Sequence, residues 1–462
     1  MQNDNHFEQA DKEAKKQAEY NRIPVVSYAE LRAVIDKWLL LKDPAVVDMI
    51  IATILSNRTN SDPVWLFLIA ASGGGKTELM NALLKVPEYY SLSQLTPNTF
   101  LSGYKSKEKE PSLLLQLGSG KTIGFKDFTS ILDGNKDAFK EIMGQFRDLF
   151  DGYMTKRTGT GDEIVWKGKM GFIAGCVPVL EQKMSMMGAM GERFLSYRMD
   201  QADRKEIKTR MKKNIGKESQ MREEMQNAMA GYMKGVKMPD EFPPLPEEVD
   251  QLVDSLADFI AISRTVVMRG YDSKREIEYI NPPEMSTRIY KQLYILAATF
   301  LVMNDGVWES RHTYALKNVA MSSIHSLRHG LIKEVQQYTT KVKTSTLATA
   351  IGYPTTTTRR CLEDLTAISM NNGQIRILRR THQGVGKPDL WEITNEMREI
   401  LKDMSDYVEP YKQDTDFDED EKDIPVETLK EVGSEQDQVE GQRKLDDLTG
   451  GMSEDEKMQL GL

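Results

Sequence analysis

Cysteine is nearly absent from this sequence: there are two in 462 residues, Cys176 and Cys361, far apart and outside any paired motif. That excludes a disulfide framework and a cysteine-based metal site, and it fits a reducing compartment. Long apolar runs are missing as well. None approaches the roughly 20 residues that a membrane-spanning helix needs, and the polar, charged stretch Met1–Tyr20 lacks the apolar centre of a secretory signal. The expectation is a soluble cytoplasmic protein with no membrane partner. No internal repeat of fixed period is present.

The length is enough for two or three domains with substantial cores. The net charge of −9 is unevenly spread: residues 401–462 hold 20 Asp/Glu against 7 Lys/Arg, a net of −13, which leaves the other 400 residues at +4. A mildly basic body is compatible with nucleic acid as partner. The tail, poor in apolar stretches, reads as disordered, either as a competitor for that partner, as a docking arm for another protein, or as a solvating segment without a partner.

The most informative stretch is Ala70-Ala71-Ser72-Gly73-Gly74-Gly75-Lys76-Thr77, directly after the apolar run Val64–Ile69. It reads as a buried strand entering a phosphate-binding loop. Glycines let backbone N–H groups approach a triphosphate, Lys76 reaches the β- and γ-phosphates, and Thr77 offers its hydroxyl to Mg²⁺. A helix from Glu78 to Leu84, with Leu79, Leu83 and Leu84 on one face, presents its N-terminal end to the same phosphates. The ATP-binding set is therefore Ser72, Gly73, Gly74, Gly75, Lys76, Thr77 and Glu78. Ala70 stands where the strict pattern has its first glycine.

An ATPase also needs a carboxylate near the metal. The candidate strand Lys121–Phe128 supplies Asp127, preceded by Lys126, either as a magnesium ligand through water or to orient the attacking water. The metal set is thus Thr77 and Asp127. Tyr153–Lys169 reads as a hairpin. Its Lys156, Arg157, Lys167 and Lys169, together with Trp166, suit a nucleic-acid backbone, or serve only to keep an exposed hairpin soluble. Met170–Cys176 reads as a further buried strand. Arg193, at a strand start, suits a finger reaching a neighbouring subunit's γ-phosphate.

With these pieces in order, the chain resembles the AAA+ ATPases, and within them the minichromosome-maintenance (MCM)-like helicases of chromosomes, phages and mobile elements. The resemblance covers residues 60–400. It implies an α/β fold with a P-loop core over 64–204 and a helical lid over 205–320, preceded by an N-terminal helical segment over 1–63. Lys126-Asp127-Phe128 falls where that group has Asp-Glu-Phe, which would make Asp127 the catalytic acid. Gly191-Glu192-Arg193-Phe194 is similar to its Ser-Arg-Phe finger. Met285-Ser286-Thr287-Arg288 looks like the lid arginine, implying that Arg288 touches the γ-phosphate of ATP. Two departures stand out: Lys126 at the Walker B aspartate, and Val177 where a sensor asparagine is expected.

Residues 321–400 resemble a winged helix-turn-helix, with Gly352 in the turn and the wing over 374–393. In DNA-reading versions of such a domain the second helix enters the major groove, while other winged helices serve purely as protein-docking modules. Thr355, Thr356, Thr358, Arg359 and Arg360 suit phosphate or base-edge contact, and Arg379, Arg380 and Lys387 suit the wing. Residues 401–462 are the acidic tail. The resemblance implies an ATP-dependent DNA motor, a replicative helicase or helicase loader working as a ring-like homo-oligomer, a hexamer, on single-stranded or duplex DNA, with the tail free to dock a replication protein. The other readings are an ATP-controlled DNA-binding regulator with slow turnover and a nucleotide-dependent scaffold.

Overall fold

The computed structural model describes residues 14–103, 112–132, 136–158, 161–180, 193–200, 203–270, 275–370, 375–384 and 387–402. The acidic tail beyond 402 therefore lies outside the described residues, as do Gly191 and Glu192 of the finger segment. The chain is mixed α/β, and among the described residues no helix is long and apolar enough to cross a membrane.

A parallel sheet organises the molecule. Its strands are β1 (Trp65–Ile69), β2 (Tyr89–Leu92), β3 (Lys121–Phe125), β6 (Met170–Cys176) and β7 (Phe194–Arg198), in the order β2-β3-β6-β1-β7. Between β3 and β6 the chain makes an antiparallel hairpin of β4 (Tyr153–Arg157) and β5 (Glu163–Lys167). All five sheet strands run the same way, so the segments leaving β1, β3, β6 and β7 gather at one end. The chain leaves β1 for the far edge and returns to it through β6, with β7 on its other side. The crevice past β1 is thus a topological switch point, where α/β sheets bind ligands.

Every residue of β1 is buried, as expected for a parallel strand covered on both faces. Its side chains alternate between two cores. Trp65, Phe67 and Ile69 join one with Phe128, Phe146, Phe172 and Phe194, where Phe67 stacks on Phe194 at 4.0 Å between ring centroids. Leu66 and Leu68 join the other, which runs on through the helices of the N-terminal, middle and C-terminal segments. Helix Ala45–Leu55 lies wholly in that second core, with every residue buried. A fully buried leucine or isoleucine contributes roughly 1.5–3 kcal/mol, so packing dominates, with Asp43 accepting from Ala45 N–H at 3.0 Å at its start. Helix Tyr28–Trp38 shows the opposite economy. It buries only Leu31, Ile35 and Trp38, and it starts with a capping box between Ser27 and Glu30.

Two expected boundaries shift. The helix after the glycine loop runs Lys76–Asn81 and then unwinds, leaving Leu84 exposed. Strand β3 stops at Phe125, so Lys126 and Asp127 sit in a turn. The edge strand β2 is short and partly exposed. A long helix runs over Thr287–Met303, which places Arg288 in its first turn.

In the C-terminal segment, helices Ser326–Val335, Thr344–Ile351 and Thr355–Ala367 accompany a three-stranded antiparallel sheet, in which Leu390–Ile393 lies between Val342–Lys343 and Leu378–Thr381. Gly352 closes the second helix in the left-handed region, at φ 69°, the position a C-terminal cap gives to glycine. Arg269, from a short two-stranded strap, pairs with Glu363 at 3.0 Å and Asp364 at 2.8 Å on the third helix, tying this segment to the middle of the chain.

Candidate nucleotide-binding site

The loop after β1 bends through the left-handed turns that anion-binding loops use. Gly73 and Gly75 adopt φ +78° and +85°, values that glycine takes without strain, and such turns aim successive N–H groups into one concavity. The following helix has six residues, so its dipole adds little, and within the loop the Gly74 N–H donates to Ala71 O at 3.1 Å. Ser72, Gly73 and Thr77 are exposed, whereas Lys76 is buried at the base. Its ammonium donates to the carbonyls of Ala70 at 2.6 Å and Ala71 at 3.0 Å. Burial pulls Lys76 below its ordinary pKa, and the neighbouring Cys176 and Asp127 partly offset that.

Asp127 is thus near enough to Lys76 to act on it electrostatically. The turn holding Asp127 is fixed from both sides. Phe128 N–H donates to Gly175 O at 2.9 Å, and a Cβ on Gly175 would stand 2.6 Å from Lys126 O, so only glycine there lets the turn cross β6. Asp127 accepts from Thr129 N–H at 3.1 Å, and Thr129 Oγ1 in turn meets Val177 N–H at 3.4 Å. Cys176 is fully buried, and burial pushes its thiol well above the ordinary range, which makes it inert.

Among the described residues no group of three or more acidic, histidine or cysteine side chains could hold a metal ion. Thr77 and Asp127 nevertheless fit magnesium as it is held on phosphates, where one or two protein oxygens suffice and the substrate supplies others. The exposed Thr77 hydroxyl and a carboxylate beside the buried lysine make that fit.

Glu78 corrects the expected set. Its carboxylate is taken by Arg222 of helix Glu218–Gly235, at 2.8 and 3.1 Å, so its side chain serves the helix packing rather than the phosphates. Arg222 lies 144 positions away, and no spacing in the sequence announces it.

Arg193 and Arg288 sit at the other end of the sheet. Arg193 immediately precedes β7, whose Phe194 pairs with Trp65, the first residue of β1. Four strand residues, about 13 Å, separate that level from the glycine loop. Arg193 is 11% exposed, bonds Asp151 at 3.0 Å and lies over the Phe150 ring. Gln292, one helical turn beyond Arg288, donates to Arg193 O at 2.8 Å. The expectation that Arg288 touches γ-phosphate is therefore corrected for its own chain: both arginines belong to the end remote from their own Lys76.

The nucleic-acid candidates divide. Lys169 lies beyond the hairpin, and its ammonium donates to the carbonyls of Ser56, Thr59 and Ser61 at 3.3, 2.8 and 2.7 Å; burial pushes it down to about 8. It is a structural lysine, which corrects its place among the DNA contacts. Trp166 is buried, with its indole N–H on Gly118 O at 2.8 Å, so it offers no stacking face. Arg157 and Lys167 remain exposed, and Lys156 reaches Asn98 at 2.6 Å.

On helix Thr355–Ala367, Thr355, Thr356 and Arg359 are exposed, Arg360 is half-buried, and Thr358 is fully buried, which removes it as a contact. Arg380 is drawn onto Asp389 at 2.6 Å, while Arg379, on the opposite face of the strand, and Lys387 are exposed.

No family model matches the chain, and no curated protein matches it.

Proposed function

We propose that the protein is an ATP-hydrolysing DNA motor: an oligomeric AAA+ ATPase of the MCM-like kind, with a helical lid and a C-terminal winged helix, acting as a replicative helicase or helicase loader of a phage or mobile element. The observation that carries this is the loop between β1 and its helix, with Lys76 buried beside Asp127 at the switch point of a sheet ordered β2-β3-β6-β1-β7. The placement of Arg193 and Arg288 supports an oligomer. At the far end of their own sheet, they can serve a phosphate only in a neighbouring subunit, the arrangement a closed ring of heterologous contacts provides.

In this reading the loop amides and Lys76 hold the β- and γ-phosphates of ATP. Thr77, with Asp127, would hold magnesium, which when bound would supply neutralisation of phosphate charge. A water attacks in line with the γ-phosphorus, the new bond forming from its oxygen as the bond to the ADP oxygen breaks and its proton leaving with the phosphate; Asp127 either orients that water or holds the metal through a water. Arg193 and Arg288 of the adjoining subunit meet the charge spread over the γ-phosphoryl oxygens. Positioning and electrostatics do most of this work. Arg157 and Lys167 on the hairpin, and Arg359 and Arg379 in the C-terminal segment, track the DNA backbone.

A second reading, an ATP-controlled DNA-binding switch with slow turnover, is favoured by one specific arrangement. Asp127 already accepts a helix N–H through one carboxylate oxygen, and Lys126 occupies the place of a second acid. Steady-state ATP hydrolysis with and without single-stranded DNA separates the two. A motor is expected to be stimulated at least about tenfold by DNA; tight ATP binding with slow, DNA-independent hydrolysis would overturn the motor reading in favour of the switch.

A further inference from the structure

The helix Arg204–Asn214 plays no part in the function argued above. It carries Arg204, Lys205, Lys208, Arg210, Lys212 and Lys213 against a single acid, Glu206, and it buries no residue. It is therefore not held by apolar packing. Asp203 caps its start by accepting from Lys205 N–H at 2.8 Å and Glu206 N–H at 3.3 Å. Its inner face is pinned by polar bonds: Arg210 donates to Asp36 O and Lys37 O, both at 2.7 Å, and Asn214 to Trp38 O at 2.9 Å. These carbonyls are the last of helix Tyr28–Trp38, so the two side chains act as its C-terminal cap.

Pinning that face fixes the opposite one outward. Arg204, Lys208 and Lys212 follow at intervals of four residues, so they form one stripe with about 6 Å between successive levels. Neither they nor Lys205 and Lys213 have a side-chain hydrogen bond or ion pair among the described residues. Like charges at this spacing weaken a helix, and no acid is interposed to relieve them. A helix kept only for solubility would mix signs.

We propose that this stripe binds the sugar–phosphate backbone of a nucleic acid, as a contact separate from the hairpin and the C-terminal segment; the inference rests on the DNA-motor reading. A row of cations rising about 6 Å per step suits a line of phosphates along one strand. A lipid surface is disfavoured by the composition. The only large apolar side chains exposed here are Met211 and Ile215, at 61% and 72%, without the aromatic or leucine-rich face that interfacial helices bury. The helix also directly precedes helix Glu218–Gly235, whose Arg222 grips Glu78 beside Lys76. Backbone binding here would thus act one element away from the nucleotide loop.

The test uses the full chain carrying Arg204→Gln, Lys208→Gln and Lys212→Gln together, a charge-keeping triple (Arg204→Lys, Lys208→Arg, Lys212→Arg), and Lys156→Gln with Arg157→Gln in the hairpin. Anisotropy of fluorescent single-stranded and duplex DNA is titrated across salt concentrations, with unchanged melting temperature confirming that each variant folds. The neutral triple is expected to lower the log–log salt slope by about 2–3, and the charge-keeping triple to preserve it. An unchanged slope in the neutral triple, beside a lowered slope in the hairpin variant, would overturn the inference and leave the motor reading standing. Absence of salt-dependent DNA binding in the unmodified protein would remove both. Displacement of DNA by phosphatidylserine vesicles or polyglutamate, lost in the neutral triple while its DNA slope stays intact, would overturn it in favour of a membrane or an acidic protein.

Discussion

Two lysines, Lys76 buried and Lys169 half-buried, stand at opposite ends of the same sheet, and both are pulled below their ordinary pKa by desolvation. Lys169, just before β6, spends three donations on three backbone carbonyls. An ammonium has three protons to give, so Lys169 is used up. Lys76, past the end of β1, meets two carbonyls and keeps one donor, beside the glycine loop and an acid. The count of satisfied donors, rather than burial or the shift itself, separates a lysine that closes a fold from one placed to receive an anion. The same contrast holds for whole ends of the sheet: the loop end leaves Ser72, Gly73 and Thr77 open to solvent, while the opposite end locks Arg193 onto Asp151.

The sharpest way to break that comparison is to remove Lys76. Lys76→Ala is expected to lower steady-state ATP turnover by about a thousandfold in protein that still melts cooperatively; normal turnover would sink the nucleotide assignment. A somewhat smaller effect is expected from Arg193→Ala, a loss of about a hundred- to a thousandfold in DNA-stimulated hydrolysis with ATP binding retained. Because Arg193 lies remote from its own Lys76, mixing the two variants under subunit exchange should restore part of the activity at junctions that combine an intact loop with an intact arginine. Mixtures as inactive as the separate variants would argue that Arg193 acts only through Asp151, as a structural ion pair.

How much of this was legible in the sequence follows from the range of the interactions. Local signals carried well. The apolar run of β1, the glycines before Lys76-Thr77, the hairpin turn near Gly161 and the turn at Gly352 each declare themselves within a few residues. The order of strands did not, because β2 is a short edge strand, Tyr89–Leu92, whose pattern is partly exposed. Long-range pairing hid the rest. Glu78 looks like a phosphate neighbour until Arg222 arrives from another helix, Lys169 looks like a hairpin cation until the turn over residues 56–61 folds beneath it, and Trp166 looks like a stacking platform until Gly118 accepts its indole proton. The charge density of Arg204–Asn214 was visible, but only the capping bonds of Arg210 and Asn214 say which face points outward.

The smallest effect is the one that tests Lys169. Lys169→Met removes a charged donor from three partly buried carbonyls and is expected to cost about 1–3 kcal/mol of stability at neutral pH, with turnover per folded molecule unchanged. The pH dependence gives this a sign. In the unfolded chain a lysine titrates near its ordinary value of about 10.4; in the folded protein Lys169 does so near 8. Between those values the unfolded state binds more protons, so stability contributed by this residue rises with pH, by at most about 1.4 kcal/mol per unit. Below 8 both states are protonated and the contribution is flat. Urea denaturation of the two proteins at pH 7, 8.5 and 9.5 should therefore show the unmodified protein gaining on Lys169→Met above pH 8, since every other titrating group is common to both. A gap that narrows over that range would mean that the three carbonyls hold the ammonium more tightly than burial repels it, with the folded pKa above the unfolded one.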